Sequence, residues 1–587
     1  MRSAKADVVV VGAGGAGLRA AIAAAEHDTR LSVALVSKVL PMRSHTVAAE
    51  GGAAGVTRDD DSLEQHFNDT VSGGDWLCDQ DVVDYFVARC TAELVQLEHW
   101  GCPWSRKADG AINTRFFGGM SIQRTWFAAD RSGFHILHTL FQTSLKYPQI
   151  RRFDEYFCAD LIVDDGRVRG VLAIDIASGE FLLIECAAVI LATGGAGRVY
   201  RQNTNAGTVT GDGMGLAFRH GAPLRDMEFV QWHPTCLPGT GILMTEACRG
   251  EGAILVNKDG YRYLQDYGLG PVDPWPRAKA MELGPRDRLS QAFWQELQKG
   301  RTIATPQGPA VHLDLRHLGA KKIHERLPLI TDAAKTFAGI DAVKQPIPVC
   351  PAAHYTMGGI YTNVRCETPL RGLYAAGECA SVGIHGANRL GSNSLVEILV
   401  FGHTAGDAAA EYACAARPVR DMRHAAETSA ARFASMLNAE RGERVARLRD
   451  EMRDAMEAGV GIYRDAGGMK AACAKLAELR ERYGRGVKLD DHGRAFNTEW
   501  LTAIELGFML EVAQAMAHSA FARRESRGAH QRVDGYEARD DVNFLKHTLA
   551  HHVEDGAPRI DHQAVTITKS APRLRHYGGA GKQAVMT

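Results

Sequence analysis

The sequence predicts an α/β chain built on a parallel sheet, interrupted by a large insertion and followed by a helical segment. Three observations carry this. Asp7-Val8-Val9-Val10-Val11 is a β-branched run suited to a strand buried on both faces, and it passes directly into Gly12-Ala13-Gly14-Gly15-Ala16-Gly17 and the alanine-rich stretch Leu18 to Ala25. Two further buried runs end the same way: Ala187 to Leu191 runs into Thr193-Gly194-Gly195, and Gly372-Leu373-Tyr374-Ala375-Ala376 into Gly377-Glu378. From about 416 to 520 the pattern changes to amphipathic helix, with Glu/Arg alternation such as Glu440-Arg441-Gly442-Glu443-Arg444 and Lys475 to Arg480, read as solvated faces of a bundle.

The first unit is legible as chemistry. In a strand–turn–helix of this form Gly12 permits the tight turn. Gly14, with Gly15 beside it, lets backbone approach a pyrophosphate, and Gly17 allows the helix to pack close on the strand. The N–H groups and dipole of the following helix then face the phosphates. An NAD site usually carries an acid after the second strand; here Val36-Ser37-Lys38 stands instead. That favours FAD, whose ribose a hydroxyl can hold. Arg43-Ser44-His45-Thr46 places an imidazole where it can be tied to such a cofactor, with Gly51-Gly52 letting backbone lie close to the ring. Glu378, ending the third run, is placed to accept hydrogen bonds from ribityl hydroxyls.

Composition excludes several other classes. The chain has 587 residues, 45% of them apolar and 23% charged, with a formal net charge of −1, so there is no basic excess of the kind a nucleic-acid surface needs. It contains no apolar run of membrane-spanning length. The sequence enters its first strand almost at once, so no leader is expected. Twelve cysteines are scattered without a CxxC pair, which suggests neither zinc nor an iron–sulfur cluster and is consistent with reduced thiols in the cytoplasm. The stretch 236–349, rich in loops, Pro and Gly, reads as an insertion over the active site.

Longer segments carry a resemblance. Pro41 to Gly52 (PMRSHTVAAEGG) resembles the flavin-attachment segment of the succinate dehydrogenase/fumarate reductase flavoprotein family. So do Gln231 to Thr235 (QWHPT), Thr245 to Gly252 (TEACRGEG), His354 to Gly359 (HYTMGG), His385 to Leu395 (HGANRLGSNSL) and the tail motif Arg523 to Arg532. The likeness spans nearly the whole chain, and Met281 to Asp287 (MELGPRD) brings it nearest the bacterial quinol:fumarate reductase branch. It implies an α/β fold: an FAD-binding Rossmann-like domain (1–235 and 350–415), an inserted α+β capping domain (236–349), a helical domain (416–520) and a small C-terminal segment (521–587).

The resemblance also implies roles. FAD would be attached covalently through His45 and held by Gly12, Gly14, Gly15, Gly17, Ser37, Lys38, Ser44, Thr46, Gly51, Gly52, Asp212, Glu378, Arg389, Ser394 and Leu395. His354 and Arg389 would grip one carboxylate of fumarate or succinate, His233 and Thr245 the other. Arg286 would deliver the proton, fed by Glu246 and Arg249. His233 is the competing acid, having the more convenient pKa. Read singly, each residue has a plainer role: Arg286 pairing with Asp287 or Glu282, His233 satisfied in the core, His45 in a turn. Cys248, beside Arg249, is expected either as a thiolate of lowered pKa near the substrate or as an inert buried thiol. The tail motif is assigned to folding or subunit contact.

The activity so implied is interconversion of fumarate and succinate. Electrons would pass through an iron–sulfur subunit to membrane anchor subunits and quinone, with this chain peripheral on the cytoplasmic side of the membrane in anaerobic respiratory electron transport. Succinate dehydrogenase is the nearest alternative and L-aspartate oxidase a more distant one, disfavoured by His45. A non-catalytic flavin scaffold is the alternative from another class.

Overall fold

Val8, Val9 and Val10 have no exposed surface and form the centre of the molecule's main sheet. Strand β1 (Val8–Val11) turns through Gly12 into helix α1 (Gly15–His27) and returns as β2 (Val33–Ser37). β3 (Ile150–Asp154) and β4 (Ala188–Leu191) join this sheet later in the chain. After β4 the chain leaves by β5 (Val230–Cys236) and passes α2 (Glu246–Glu251) and α3 (Arg286–Gln298). It comes back by β6 (Ile347–Thr356), and β7 (Leu373–Ala375) then completes the sheet in the order β7-β4-β1-β2-β3, all parallel. The three runs singled out in the sequence are therefore three adjacent strands, and the α/β class is borne out. This description comes from a computed structural model that describes residues 1–269, 281–416 and 421–575. The portions of the expected capping, helical and C-terminal segments at 270–280, 417–420 and 576–587 lie outside the described residues.

Helix α4 (Asn393–Ala415) lies against α1 at close range. Gly402 and Gly406 allow it: a Cβ at Gly406 would overlap the carbonyl oxygen of Ala20. With side chains that small the two backbones approach closely and cover the sheet. β5 and β6 pair antiparallel and extend into a sheet with Gly308–Asp314 and Ile254–Val256. The residues beyond them share a separate apolar core that includes Leu255, Leu289, Val311, Leu313 and Ile347. A separate core is what a domain inserted between two strands requires.

Four helices follow: α5 (Arg423–Ser435), α6 (Val445–Gly459), α7 (Ala466–Gly484) and α8 (Thr498–Ala522). α8 is apolar nearly all round and buried along most of its length, as a central bundle helix must be. Among the described residues no helix is long and apolar enough to cross a membrane.

The tail motif is interior. Arg523, Glu525, Arg527, His530 and Arg532 are all at most 2% exposed. Of the two roles expected for the motif, folding and subunit contact, these inward side chains serve the first, and a subunit contact through Arg527 to Arg532 is corrected. Glu525 accepts from Arg523 at 2.8 Å, from Arg527 at 2.8 and 2.9 Å and from the Asp540 backbone at 2.9 Å, and Arg523 also binds Glu228 at 2.6 Å. Removing one charge from such a buried network strands its partners. Glu525→Gln is expected to lower stability by about 3–5 kcal/mol, measured by denaturant unfolding. A loss below about 1 kcal/mol, the range of exposed pairs, would contradict the assignment.

Candidate active site

One cavity of about 580 Å³ runs from the α1 turn to the contact between the β5–β6 strands and α3. Nearly all the residues singled out in the sequence line it: Gly12, Gly14, Gly15, Ser37, Lys38, Ser44, His45, Thr46, Gly51, Gly52, Asp212, His233, Thr245, Glu246, Arg286, His354, Glu378, Arg389, Ser394 and Leu395. Gly17 and Arg249 stand just behind the wall.

The glycines divide by cause. Gly12 has φ +109, and a Cβ on it would overlap the Ala192 carbonyl; a Cβ on Gly17 would overlap the Gly12 carbonyl. Those two are demanded by the fold itself. Gly15 sits against the flexible tip of Ile398. Gly14 differs: a Cβ there meets nothing closer than Thr46 Oγ1 at 3.4 Å, ordinary contact. The fold leaves room for a methyl that the sequence omits, as expected where a ligand's phosphates approach backbone. α1 has no side-chain cap, so its first N–H groups face the cavity; that of Gly15 donates to Thr46 Oγ1 at 3.1 Å.

Lys38 reaches Asp212 at 2.6 Å and Glu505, from α8, at 2.7 Å. Burial alone would lower the ammonium's pKa, but these two carboxylates outweigh it and raise it to about 12. The lysine that stands after β2 is thus held by two carboxylates from elsewhere in the chain. Glu378 accepts from the Thr356 backbone at 3.0 Å, and enclosure raises its pKa to about 7. His45 begins a short 3₁₀ turn, its Nδ1 accepting from the Ala206 N–H at 3.4 Å. Burial drops its pKa to about 4, so at neutral pH it is an uncharged imidazole, the nucleophilic form. Arg115 donates to the carbonyls of Glu50 and Gly51 and fixes the following backbone.

At the other end His233 of β5 and His354 of β6 face each other with ring centroids 5.1 Å apart. β-bulges on either side of Trp232–His233 break the regular alternation there. His354 Nδ1 pairs with Thr204 Oγ1 at 2.8 Å, and His233 Nδ1 accepts from Thr235 N at 3.3 Å. Burial, then the nearby Arg286, push both imidazoles well below their ordinary pKa, so both are neutral. His233 Nε2 and Arg389 Nε are buried with no hydrogen-bond partner in the protein. Orphan donors converging on one cavity are what an anionic ligand would satisfy.

Arg286 starts α3 and binds Glu246 Oε2 through Nε at 2.9 Å and Gln231 Oε1 through Nη1 at 3.3 Å. Arg249 Nη2 lies 3.7 Å from the same Glu246 oxygen, and Glu246 Oε1 accepts from Gly118 N at 2.5 Å. Burial would raise the Glu246 pKa; Arg286 and Arg249 overcome it and keep the group ionised. The plainer pairings for Arg286 are taken by others: Glu282 holds Arg262, and Asp287 holds Arg575. Arg389 binds Ser394 Oγ at 2.9 Å and Gln231 Oε1 at 3.0 Å, and lies 4.4 Å from the Tyr355 ring centroid. Burial lowers its pKa to about 10.

Sequence reading missed three of these residues. Gln231, whose one amide oxygen joins Arg286 to Arg389, stood within a recognised motif. Thr204 and Glu505 had no local signal. The lowered pKa expected as one reading of Cys248 is corrected: the thiol has no exposed surface, and burial pushes it up more than Arg249 pulls it down.

Comparison with known proteins agrees with this geometry. The family described as "FAD binding domain" matches residues 7–395, and that described as "Fumarate reductase flavoprotein C-term" matches 449–577. The Proteus vulgaris fumarate reductase flavoprotein subunit is 64% identical over 99% of this chain and 98% of its own. The chain belongs to the succinate dehydrogenase/fumarate reductase flavoprotein family. It is an oxidoreductase of that type. Within the family, the Rickettsia conorii succinate dehydrogenase flavoprotein subunit is 42% identical over 96% of each chain. A solved "Quinol-Fumarate Reductase with Menaquinol Molecules" superposes with a TM-score of 0.95 at 61% identity, covering 98% of this chain and 100% of that one.

The glycine argument gives a test. Gly14→Ala is expected to fold, with an unchanged thermal midpoint for the FAD-free protein, yet lose FAD affinity by at least tenfold, while Gly17→Ala is expected to fold poorly. Normal FAD titration of Gly14→Ala by fluorescence quenching would contradict the cradle.

Proposed function

We propose that this chain is the catalytic flavoprotein subunit of a quinol:fumarate reductase, interconverting fumarate and succinate. The observation that carries the reading is the convergence of Arg286, Arg389, His233 and His354 on one enclosed cavity, with Glu246 and Arg249 behind them. Four-carbon dicarboxylates are dianions, and such a pocket offers donors at both ends. FAD, bound along the α1 turn and attached through His45, supplies hydride exchange at its N5 atom.

The residues then divide the work. His354 and Arg389 hold one carboxylate, His233 and Thr245 the other, and their placement twists one carboxylate from the alkene plane so that the double bond accepts hydride. Arg286 keeps Nε on Glu246 and Nη1 on Gln231, which leaves Nη2 to bind substrate and release a proton to the carbon that gains charge. An arginine with a reference pKa above 12 is a weak acid in water. Here Arg286 gives its proton up only as the carbon gains charge, and Glu246 returns one from Arg249. His233 is neutral at working pH and serves as a hydrogen-bond donor, which argues against it as the acid.

The higher identity to fumarate reductase subunits than to succinate dehydrogenase subunits favours the reductase direction. The likeness to a quinol-fumarate reductase solved with menaquinol supports partners as well. In this reading an iron–sulfur subunit carries electrons from quinol at the membrane anchors to the flavin, and the chain sits peripherally on the cytoplasmic face. The deciding experiment is a dye-coupled assay with fumarate and succinate in both directions; no turnover of either would sink the reading.

Two variants test its parts. Arg286→Gln is expected to lower turnover by several orders of magnitude while FAD content and succinate binding persist, the pattern of an interaction realised in the transition state. Near-normal kcat would move the proton donor elsewhere. His45→Ser is expected to release all flavin into the supernatant on acid precipitation, where the parent retains it, and to impair succinate oxidation more than fumarate reduction. Flavin released equally from both proteins would refute the covalent link.

A further inference from the structure

The strap at 565–575 is bound to the body of the protein along its length. Fully buried Gln80 accepts from the backbone of Thr568, Lys569 and Ser570 at 3.1, 3.0 and 2.9 Å, and donates to the Ser570 carbonyl at 2.6 Å. Asp79 accepts from Thr566 N at 2.9 Å, and Trp76 donates to Ser570 Oγ at 3.1 Å. From this anchor Arg575 reaches the carboxylate of Asp287 with two bonds of 2.8 and 3.1 Å, and the two side chains are only 7% and 2% exposed.

Asp287 is in the first turn of α3, adjoining Arg286. The next turn is fastened separately, Ser290 donating to the Trp232 carbonyl at 2.9 Å and Gln291 to the Gly528 carbonyl at 3.2 Å. The Asp287–Arg575 pair ties the first turn to the strap. We propose that this strap is a latch on the proton-delivery site, with Arg575 a positioning residue that holds the start of α3 through Asp287 and so aims Arg286 at Gln231 and Glu246. The inference rests on the functional reading above.

Loss of the guanidinium would leave a buried carboxylate without its counter-charge. The first turn would then shift to hydrate it, displacing Arg286. That displacement acts on proton delivery and leaves the carboxylate-binding residues His354 and Arg389 in place.

The test compares Arg575→Gln, Arg575→Lys, Asp287→Asn and the Arg575→Gln/Asp287→Asn double variant in the holoenzyme. Arg575→Gln is expected to lower fumarate-reduction kcat per bound flavin by roughly ten- to a hundredfold, with KM changed by less than about threefold. Arg575→Lys is expected to recover most of the loss, and Asp287→Asn, alone or combined with Arg575→Gln, to lower kcat to a similar, non-additive extent because the same pair is lost. A purely structural strap would lower the thermal midpoint and flavin content and leave kcat per flavin intact. That result, or unchanged kcat per flavin in Asp287→Asn, would overturn the latch. A parent protein without fumarate turnover would instead overturn the functional reading, and the latch with it.

Discussion

Glu246 is the carboxylate on which the arrangement of buried cations depends. Its two oxygens gather Arg286, Arg249 and the Gly118 N–H, drawing α2, α3 and the loop beneath the main sheet to one point. A buried charge needs compensation, and here one anion serves two arginines, with Arg389 close by. Arg286 and Arg389 line one cavity, where Arg389 Nε and His233 Nε2 have no partner in the protein. Buried donors left open in this way suit an anionic ligand.

The fold makes this arrangement possible by separating two tasks. The parallel sheet and its glycine turn build an elongated cradle whose geometry is set by backbone packing, as the overlaps at Gly12 and Gly17 require. The insertion between β5 and β6 has its own core and can present α2 and α3 over that cradle as a unit. α3 belongs to the insertion by sequence, yet it is bonded to β5 through Ser290 and to the tail motif through Gln291. Arg286 is thereby referenced to the body of the protein as well as to the insertion.

Much of this was legible in the sequence because it is local. The β-branched run before Gly12 gave a strand and a helix start, and the two later strand-to-glycine runs proved to be its neighbours in the sheet. Long motifs containing His45, His233, Thr245, Arg286, His354 and Arg389 identified residues that the fold brings to one cavity. What was not legible is long-range compensation. The lysine in place of an acid after β2 is visible in sequence; that Asp212 and Glu505 pair with it is not. The Arg523 to Arg532 motif left folding and subunit contact open in the sequence, and its burial as an ion network, set by partners such as Glu228 far away in the chain, decides for folding. Cys248 was judged by its neighbour Arg249, but desolvation outweighs that neighbour.

The central claim is that the cavity's cationic and unpartnered donors are completed by a substrate carrying two carboxylates. Calorimetric titration of the FAD-loaded protein with succinate and with propionate tests it most directly. The account predicts one-to-one succinate binding, propionate binding weaker by at least about two orders of magnitude through loss of one charge-assisted set of bonds, and marked loss of succinate affinity in Arg389→Gln. Equal affinity for the two acids, or succinate binding unaffected by that substitution, would contradict it.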